Sequence, residues 1–235
     1  MSKTDINLIS TLSEDTWFYK LHEEELKPHL GKKYLSYSTA GSYLDYTEDF
    51  IKQKLLGIDL PSTVYTRLGN FLGEAVENGF WGENNDNFGG LENVDLEKLR
   101  PEGAEYEKLV VIDFGEWIFI GFIDRYQKTE DGVEIIDFKS GAMNKKQQYL
   151  EEDYTQVMLY AHARELAGDK IKSTGVYFIE RVGSHIKPPL CLSKNQEYLP
   201  LEYNKNRVKF ALDKLNKAVK GISELNTTYN KYFKI

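Results

Sequence analysis

Three short runs dense in β-branched and apolar residues follow one another closely: Glu107 to Phe114, Trp117 to Asp124 and Val133 to Phe138. A Gly-containing turn separates the first two, and Asp131-Gly132 separates the second from the third. Runs of this length with this composition predict buried strands, here an antiparallel meander. A helical pattern, Glu152 to Leu166, comes next, followed by the alternating run Thr174 to Arg181, a fourth core strand. Upstream, Tyr65 to Trp81 also has helical periodicity. Helix, three strands, helix, strand is an αβββαβ order, which predicts the α/β class with a mixed sheet flanked by helices. Order alone says little about function, because many activities share such cores.

The remainder of the chain divides around this core. Residues 1–34 form a polar, partly helical N-terminal appendage, with Asp5 to Lys27 in one or two segments and the aromatic cluster Trp17-Phe18-Tyr19 docking on the core. Residues 35–235 form a single domain, for which 235 residues in all provide a full core. Ser38 is the expected N-cap of a helix running towards Leu56, with Gly57 as its stop. Gly82 to Gly103 reads as a loop containing one short helix, Val94 to Leu99. Lys187 to Leu190 and Pro200 are connectors, and a long helix spans Tyr203 to Leu225.

The chemistry lies at the ends of the strands. Asp137 and Lys139 are two apart, so on a strand they share one face while Phe138 points the other way. Asp124 ends the preceding apolar run, and adjacent strands bring the two aspartates together. Two carboxylates beside an ammonium suit a divalent metal and a phosphate, although a surface ion pair has the same Asp-x-Lys spacing. On the following helix Gln156 and Tyr160 stand four apart on one face. An amide and a phenol beside Leu and Met are not what a simple core helix needs.

Taken in order, Gly121-Phe-Ile-Asp124-Arg125, Ile135-Ile-Asp137-Phe138-Lys139-Ser-Gly141 and Gln156-x-x-x-Tyr160 resemble the RecB-like branch of the PD-(D/E)XK nucleases. That branch includes helicase-associated nuclease domains, phage recombination exonucleases and CRISPR-adaptation nucleases. Leu35-Ser36-Tyr37-Ser38 resembles the opening Ser-x-Ser of the family, and Leu68-Gly69 to Glu77 resembles its Gly-x-x-x-His helix in outline. The resemblance covers roughly residues 35 to 180. Gly73 stands where many relatives have a metal-binding His. Glu74, which we place first, or Glu77 could supply a carboxylate in its stead, and both also read as ordinary solvated helix charges.

The resemblance implies a Mg²⁺- or Mn²⁺-dependent phosphodiesterase. Asp124, Asp137 and the main-chain carbonyl of Phe138 would be metal ligands, with Glu74 or Glu77 completing the site. Lys139 would orient water and stabilise charge developing on phosphorus. Gln156, Tyr160, Arg125 and Ser38 are the expected nucleic-acid contacts, Arg125 being equally readable as a surface arginine. The leading expectation is a DNA exonuclease that processes single- or double-stranded ends in recombination, repair or phage DNA metabolism. An endonuclease on the same core, or a catalytically silent nucleic-acid-binding relative, are the alternatives.

Composition bounds these expectations. One cysteine, Cys191, excludes the four-thiolate iron–sulfur cluster of some relatives and fits a reducing, cytoplasmic setting. His22, His29, His162 and His185 are scattered and form no zinc ligand set. No P-loop or dinucleotide glycine fingerprint is present, so there is no ATP site and unwinding would need a helicase or recombination partner. No apolar run approaches membrane-span length, and an oligomer is compatible with the sequence. Net charge is −7, yet residues 169–235 carry thirteen Lys or Arg against six Asp or Glu. Charge therefore neither requires nor forbids DNA.

Overall fold

Thr63 opens the helix that backs the central strand: its hydroxyl accepts the Thr66 amide at 3.1 Å, and Gly79 closes the helix in the left-handed conformation. In the computed structural model, which describes residues 7–151, 154–184 and 189–232, the chain forms two compact units. One comprises Met1–Leu60, Leu109–Gly121 and Lys209–Ile235, and the other Pro61–Lys108 and Phe122–Val208. The helices are α1 (Glu23–Leu26), α2 (Tyr37–Asp45), α3 (Thr47–Leu56), α4 (Val64–Asn78), α5 (Leu96–Leu99), α6 (Gln156–Leu166) and α7 (Lys205–Tyr232). The strands are β1 (Lys33–Leu35), β2 (Ala104–Glu105), β3 (Lys108–Asp113), β4 (Trp117–Ile123), β5 (Arg125–Thr129), β6 (Gly132–Gly141), β7 (Ile171–Val182) and β8 (Cys191–Pro200). The class is mixed α/β, with helix-flanked sheets and a long C-terminal helix, as the sequence predicts.

The first unit is built on a three-stranded sheet in the order β1-β4-β3, with β1 parallel to β4 and Leu35 across from Phe119. Ile118, Phe119 and Ile120 are buried there in succession. Along α7 the buried residues Ala211, Leu215, Ala218 and Ile222 recur at helical spacing, the apolar stripe of an amphipathic helix. The expected single helix from Ser38 to Leu56 is two helices, and the cap is Ser36, whose hydroxyl accepts the Thr39 amide at 3.2 Å. The break falls at Tyr46 because the Thr47 hydroxyl takes the Tyr43 carbonyl that an uninterrupted helix would give to the backbone. Gly57 is the left-handed stop expected. Near the N-terminus the segments are one- to two-turn helices, with Phe18 and Tyr19 buried and Trp17 exposed.

The second unit contains a five-stranded sheet in the order β2-β5-β6-β7-β8. β6 is its centre, antiparallel to β5 and parallel to β7. Leu68, Leu72 and Val76 of α4 pack with Ile136 and Phe138 in one apolar cluster on one face of β6, while α6 packs against β6 and β7. Asp95 caps α5, and the Gly82 to Gly103 stretch is otherwise loop, apart from a single turn at Leu91–Asn93.

Two expectations need correction. The meander forms only in part: Lys108–Asp113 and Trp117–Ile123 pair as expected but belong to the three-stranded sheet, and the strand that pairs with Val133–Phe138 is Arg125–Thr129, a segment with no strand signal in the sequence. That strand buries only Tyr126, so a single inward residue gives hydrophobic counting too little signal. Pro200, expected as a connector, is instead the last residue of the edge strand β8, whose buried contributions are Leu192 and Leu199. Asp5, Glu152, His185 and Lys187, named above, lie outside the described residues. No helix among the described residues is long and apolar enough to cross a membrane.

Candidate active site

Strand alternation turns Ile136 and Phe138 into the α4 cluster, so Asp137 and Lys139 project from the opposite face of β6. Asp137 is fully buried. Its Oδ2 meets Lys139 Nζ at 2.6 Å and accepts the Tyr154 hydroxyl at 2.8 Å. Its other oxygen, Oδ1, is buried without a hydrogen-bond partner. A buried carboxylate oxygen left in this state costs on the order of 1–3 kcal/mol or more, and native proteins rarely keep one without a use.

Asp124 sits between β4 and β5, where the chain leaves one sheet for the other. Its Oδ2 accepts the Phe138 amide at 2.7 Å, which fixes this carboxylate beside the Asp137 strand. The N–H and C=O of one strand residue project to the same edge, so the Phe138 carbonyl also faces the Asp124 side. Burial, and then the charge of Asp137, push the Asp124 carboxyl up to about 8, against the opposing pull of Lys139 and the Phe138 amide. Burial alone would lower Lys139, but Asp137 and Asp124 outweigh it and hold the ammonium above the usual lysine range. The pair of acids is thus short of positive charge, with one lysine serving both.

Helix α6 supplies the wall. Gln156 Nε2 donates to the Tyr160 hydroxyl at 2.8 Å, and Tyr154 reaches Gln156 Oε1 at 3.3 Å while donating to Asp137. Burial and the two aspartates raise Tyr160 well above the ordinary phenol range, so it stays protonated. An edge-to-face contact between Tyr149 and Tyr154, ring centroids 5.2 Å apart, holds the Tyr154 ring in place.

The structure therefore gathers Asp124, Asp137, Lys139, Gln156 and Tyr160, with the Phe138 backbone. Glu74 and Glu77 are both exposed on α4. Gly69, Gly73 and Glu77 share one helix face, and a Cβ at either glycine would meet nothing within 4 Å. Glu77 acts electrostatically on Glu107, as Asp137 does, whereas Glu74 enters none of these interactions. Arg100 Nη1 donates to the Glu77 carbonyl at 2.7 Å and steadies that end of α4. Arg125 is not brought to the cluster: it pairs with Ile136, so it occupies the opposite face of the sheet, where it donates to the Leu99 carbonyl at 3.2 Å. Ser38 is an exposed residue of the other unit, hydrogen-bonded to Ser36 at 3.0 Å.

Two further residues line the cluster without having announced themselves. Tyr154 lies inside the expected helix Glu152 to Leu166 but just before α6 begins, and nothing in a lone tyrosine there signals a carboxylate partner. Glu107 follows β2 with φ +47°, a left-handed value uncommon for a residue with a side chain. Burial, then Glu77 and Asp137, raise its carboxyl above the usual range, with Lys139 opposing.

Oxygen donors of this kind fit a hard divalent cation. Among the described residues no three His, Cys, Asp or Glu side chains are gathered round one point. Mg²⁺ does not need such a cage, since it is usually held by one or two carboxylates, with waters and substrate phosphate completing the octahedron. The orphaned Asp137 oxygen, Asp124 and the Phe138 carbonyl suit that role.

Comparison with known proteins bears on this cluster. Residues 72–227 match the sequence profile of the PD-(D/E)XK nuclease superfamily. No curated protein matches the chain significantly by sequence. Among solved structures, a candidate exonuclease from Eubacterium rectale aligns over 93% of this chain and 88% of its own, with a TM-score of 0.57 and 14% identity, a likeness of fold alone. The structure of SSO0001 aligns more loosely, over 85% and 84% with a TM-score of 0.41 and 15% identity.

Proposed function

The chain belongs to the PD-(D/E)XK nuclease superfamily, and from that premise we propose that it is a divalent-metal-dependent exonuclease of the RecB-like type acting on DNA ends. Recombination, repair or phage DNA metabolism are the settings in which such end processing is used, with a helicase or recombination protein supplying unwinding. The observation that carries this reading is half-buried Asp124 and fully buried Asp137 sharing Lys139, with one Asp137 oxygen left unsatisfied.

Asp124, Asp137 and the Phe138 carbonyl would hold Mg²⁺ or Mn²⁺, which when bound polarises a phosphoryl oxygen and acidifies water. Lys139 keeps its proton and offers N–H donors where negative charge grows on the phosphoryl group. Tyr154 holds the Asp137 carboxylate by its Oδ2, leaving Oδ1 directed elsewhere. Protonated Tyr160, braced by Gln156, adds a neutral wall that leaves the charge of the acids uncancelled.

The test compares an end-labelled linear duplex and single strand with a closed circle, in Mg²⁺ or Mn²⁺. Degradation of linear DNA with the circle spared supports the exonuclease. Nicking or linearisation of the circle points to an endonuclease on the same core. Equal cleavage by wild type and Lys139→Ala would remove the active-site assignment, and a DNA shift in EDTA without cleavage under any metal would make the chain a binding protein.

A further inference from the structure

The backbone register brings a third carboxylate to the two aspartates. Strand β2 runs antiparallel to β5, with Ala104 across from Gln127 and Glu105 across from Tyr126. Glu107 and Asp124 lie two residues beyond the Glu105–Tyr126 pair on their respective chains, so both leave the ladder at its same end. Both residues lie at breaks between strands: Asp124 separates β4 from β5, and Glu107 precedes β3 after β2 ends. The left-handed backbone at Glu107 is a conformation that glycine or asparagine would adopt at lower cost, yet a long acid stands there. Its charge is felt by Asp124 and Tyr160, and it in turn feels Glu77, Asp137 and Lys139. The unpartnered, buried Oδ1 of Asp137 is the independent sign that this corner takes a cation.

We propose that Glu107 is a further positioning residue of the site, whose carboxylate accepts hydrogen bonds from water around a divalent cation held by Asp124 and Asp137. The inference rests on the metal-dependent reading above. An indirect role fits the geometry, because no three acidic side chains converge on one point among the described residues and Mg²⁺ gives up its waters reluctantly. The third polar group of the site would thus come from the turn between β2 and β3.

Titration calorimetry with Mn²⁺ alone tests this on wild type, Asp124→Asn, Glu107→Gln, Glu107→Asp and Glu107→Gly, alongside metal-free thermal unfolding. We expect Asp124→Asn to abolish binding, Glu107→Gln and Glu107→Gly to weaken it about tenfold, as for a residue supporting a metal's own ligands, and Glu107→Asp to restore part of the loss. Glu107→Gly should unfold at the same temperature as wild type or higher, because it relieves the left-handed backbone. A purely structural Glu107 would give the reverse pattern, with lower unfolding temperatures and unchanged affinity. If wild type binds Mn²⁺, Asp124→Asn does not, and all Glu107 variants bind like wild type, the role of Glu107 is refuted and the metal site stands. If wild type and Asp124→Asn both fail to bind, the metal-dependent reading falls and this inference with it.

Discussion

The Asp124 carboxylate accepts the backbone amide of Phe138 at 2.7 Å, so the residue that ends one strand is tied to the residue between Asp137 and Lys139 on another. This bond sets the spacing of the two acids without using a side chain of β6, and it leaves Lys139 free to serve Asp137. A single lysine beside two carboxylates means that its removal has two separable effects. Lys139→Met should reduce cleavage by a factor on the order of 10²–10³, the usual scale for losing a donor to developing charge. It should also destabilise the metal-free protein by about 1–3 kcal/mol, since Asp137 loses its counter-charge while buried. Single-turnover rates and urea unfolding measure the two effects, and Mn²⁺ should restore stability but not activity. Restored activity would mean that Lys139 only neutralises Asp137.

The pH dependence of stability follows from Asp124. In the folded, metal-free protein its proton is retained up to about pH 8, whereas the unfolded chain releases it near pH ~4. The folded state binds this proton more tightly, so the stabilising contribution is full below about pH 4 and is lost as pH rises through about 8. A divalent cation binds the ionised carboxylate and competes with that proton. The rise in Tm on adding Mn²⁺ should therefore grow from about pH 6 to about pH 8.5, and Asp124→Asn should flatten both trends. A metal-induced shift that is the same at both ends of this range would contradict the assignment.

Tyr154 offers a conservative test of the wall. Tyr154→Phe keeps the ring against Tyr149 and deletes only the hydroxyl that Asp137 accepts. Mn²⁺ affinity should fall about tenfold, as for other groups that orient a metal ligand, with folding little changed beyond about 1 kcal/mol. Gln156→Leu should cost less, because its bond from Tyr154 is long at 3.3 Å and it touches neither aspartate directly. Equal effects of the two substitutions would argue that the helix wall acts as a unit.

Legibility in the sequence followed burial. Asp137, Phe138 and Lys139 could be placed because alternation on an apolar strand fixes which side each faces, and Gln156 and Tyr160 because helix spacing does the same. Strand β5 was hidden because Arg125, Gln127, Lys128 and Thr129 surround one buried tyrosine, so the strand exists through pairing with β6 and not through its own composition. Arg125 was hard to place for the same reason: its face depends on a register that only the paired strands define. Glu107 and Tyr154 are brought to the cluster by chain reversals and long-range pairing, for which a single acid or phenol leaves no local mark. Glu74 and Glu77 cannot be told apart in sequence, because how each helix face is turned depends on how α4 rests on Phe138 and Ile136.

Two glycines near that helix make opposite predictions, and together they test how the site is framed. Gly90 has φ +71°, and a Cβ there would collide with the backbone carbonyl oxygen of Leu192. Around it Gly89 exchanges backbone bonds with Leu190 and Leu192, each at 2.9 Å, and Asn93 donates to the same Leu192 carbonyl. Gly90→Ala should therefore cost about 2–4 kcal/mol, combining a left-handed alanine with a contact that backbone cannot yield. Gly73 lies inside α4 with nothing within 4 Å of an added Cβ. Gly73→Ala should stabilise by about 0.5–1 kcal/mol, the ordinary gain of alanine over glycine in a helix. Urea unfolding reads both changes, and cleavage assays add the functional half. Gly73 lies one turn before Glu77 on the same helix face, and a Gly73→Ala protein that is more stable yet slower on DNA would show that the open space above this glycine is used by substrate. If it is more stable and fully active, substrate does not need that space.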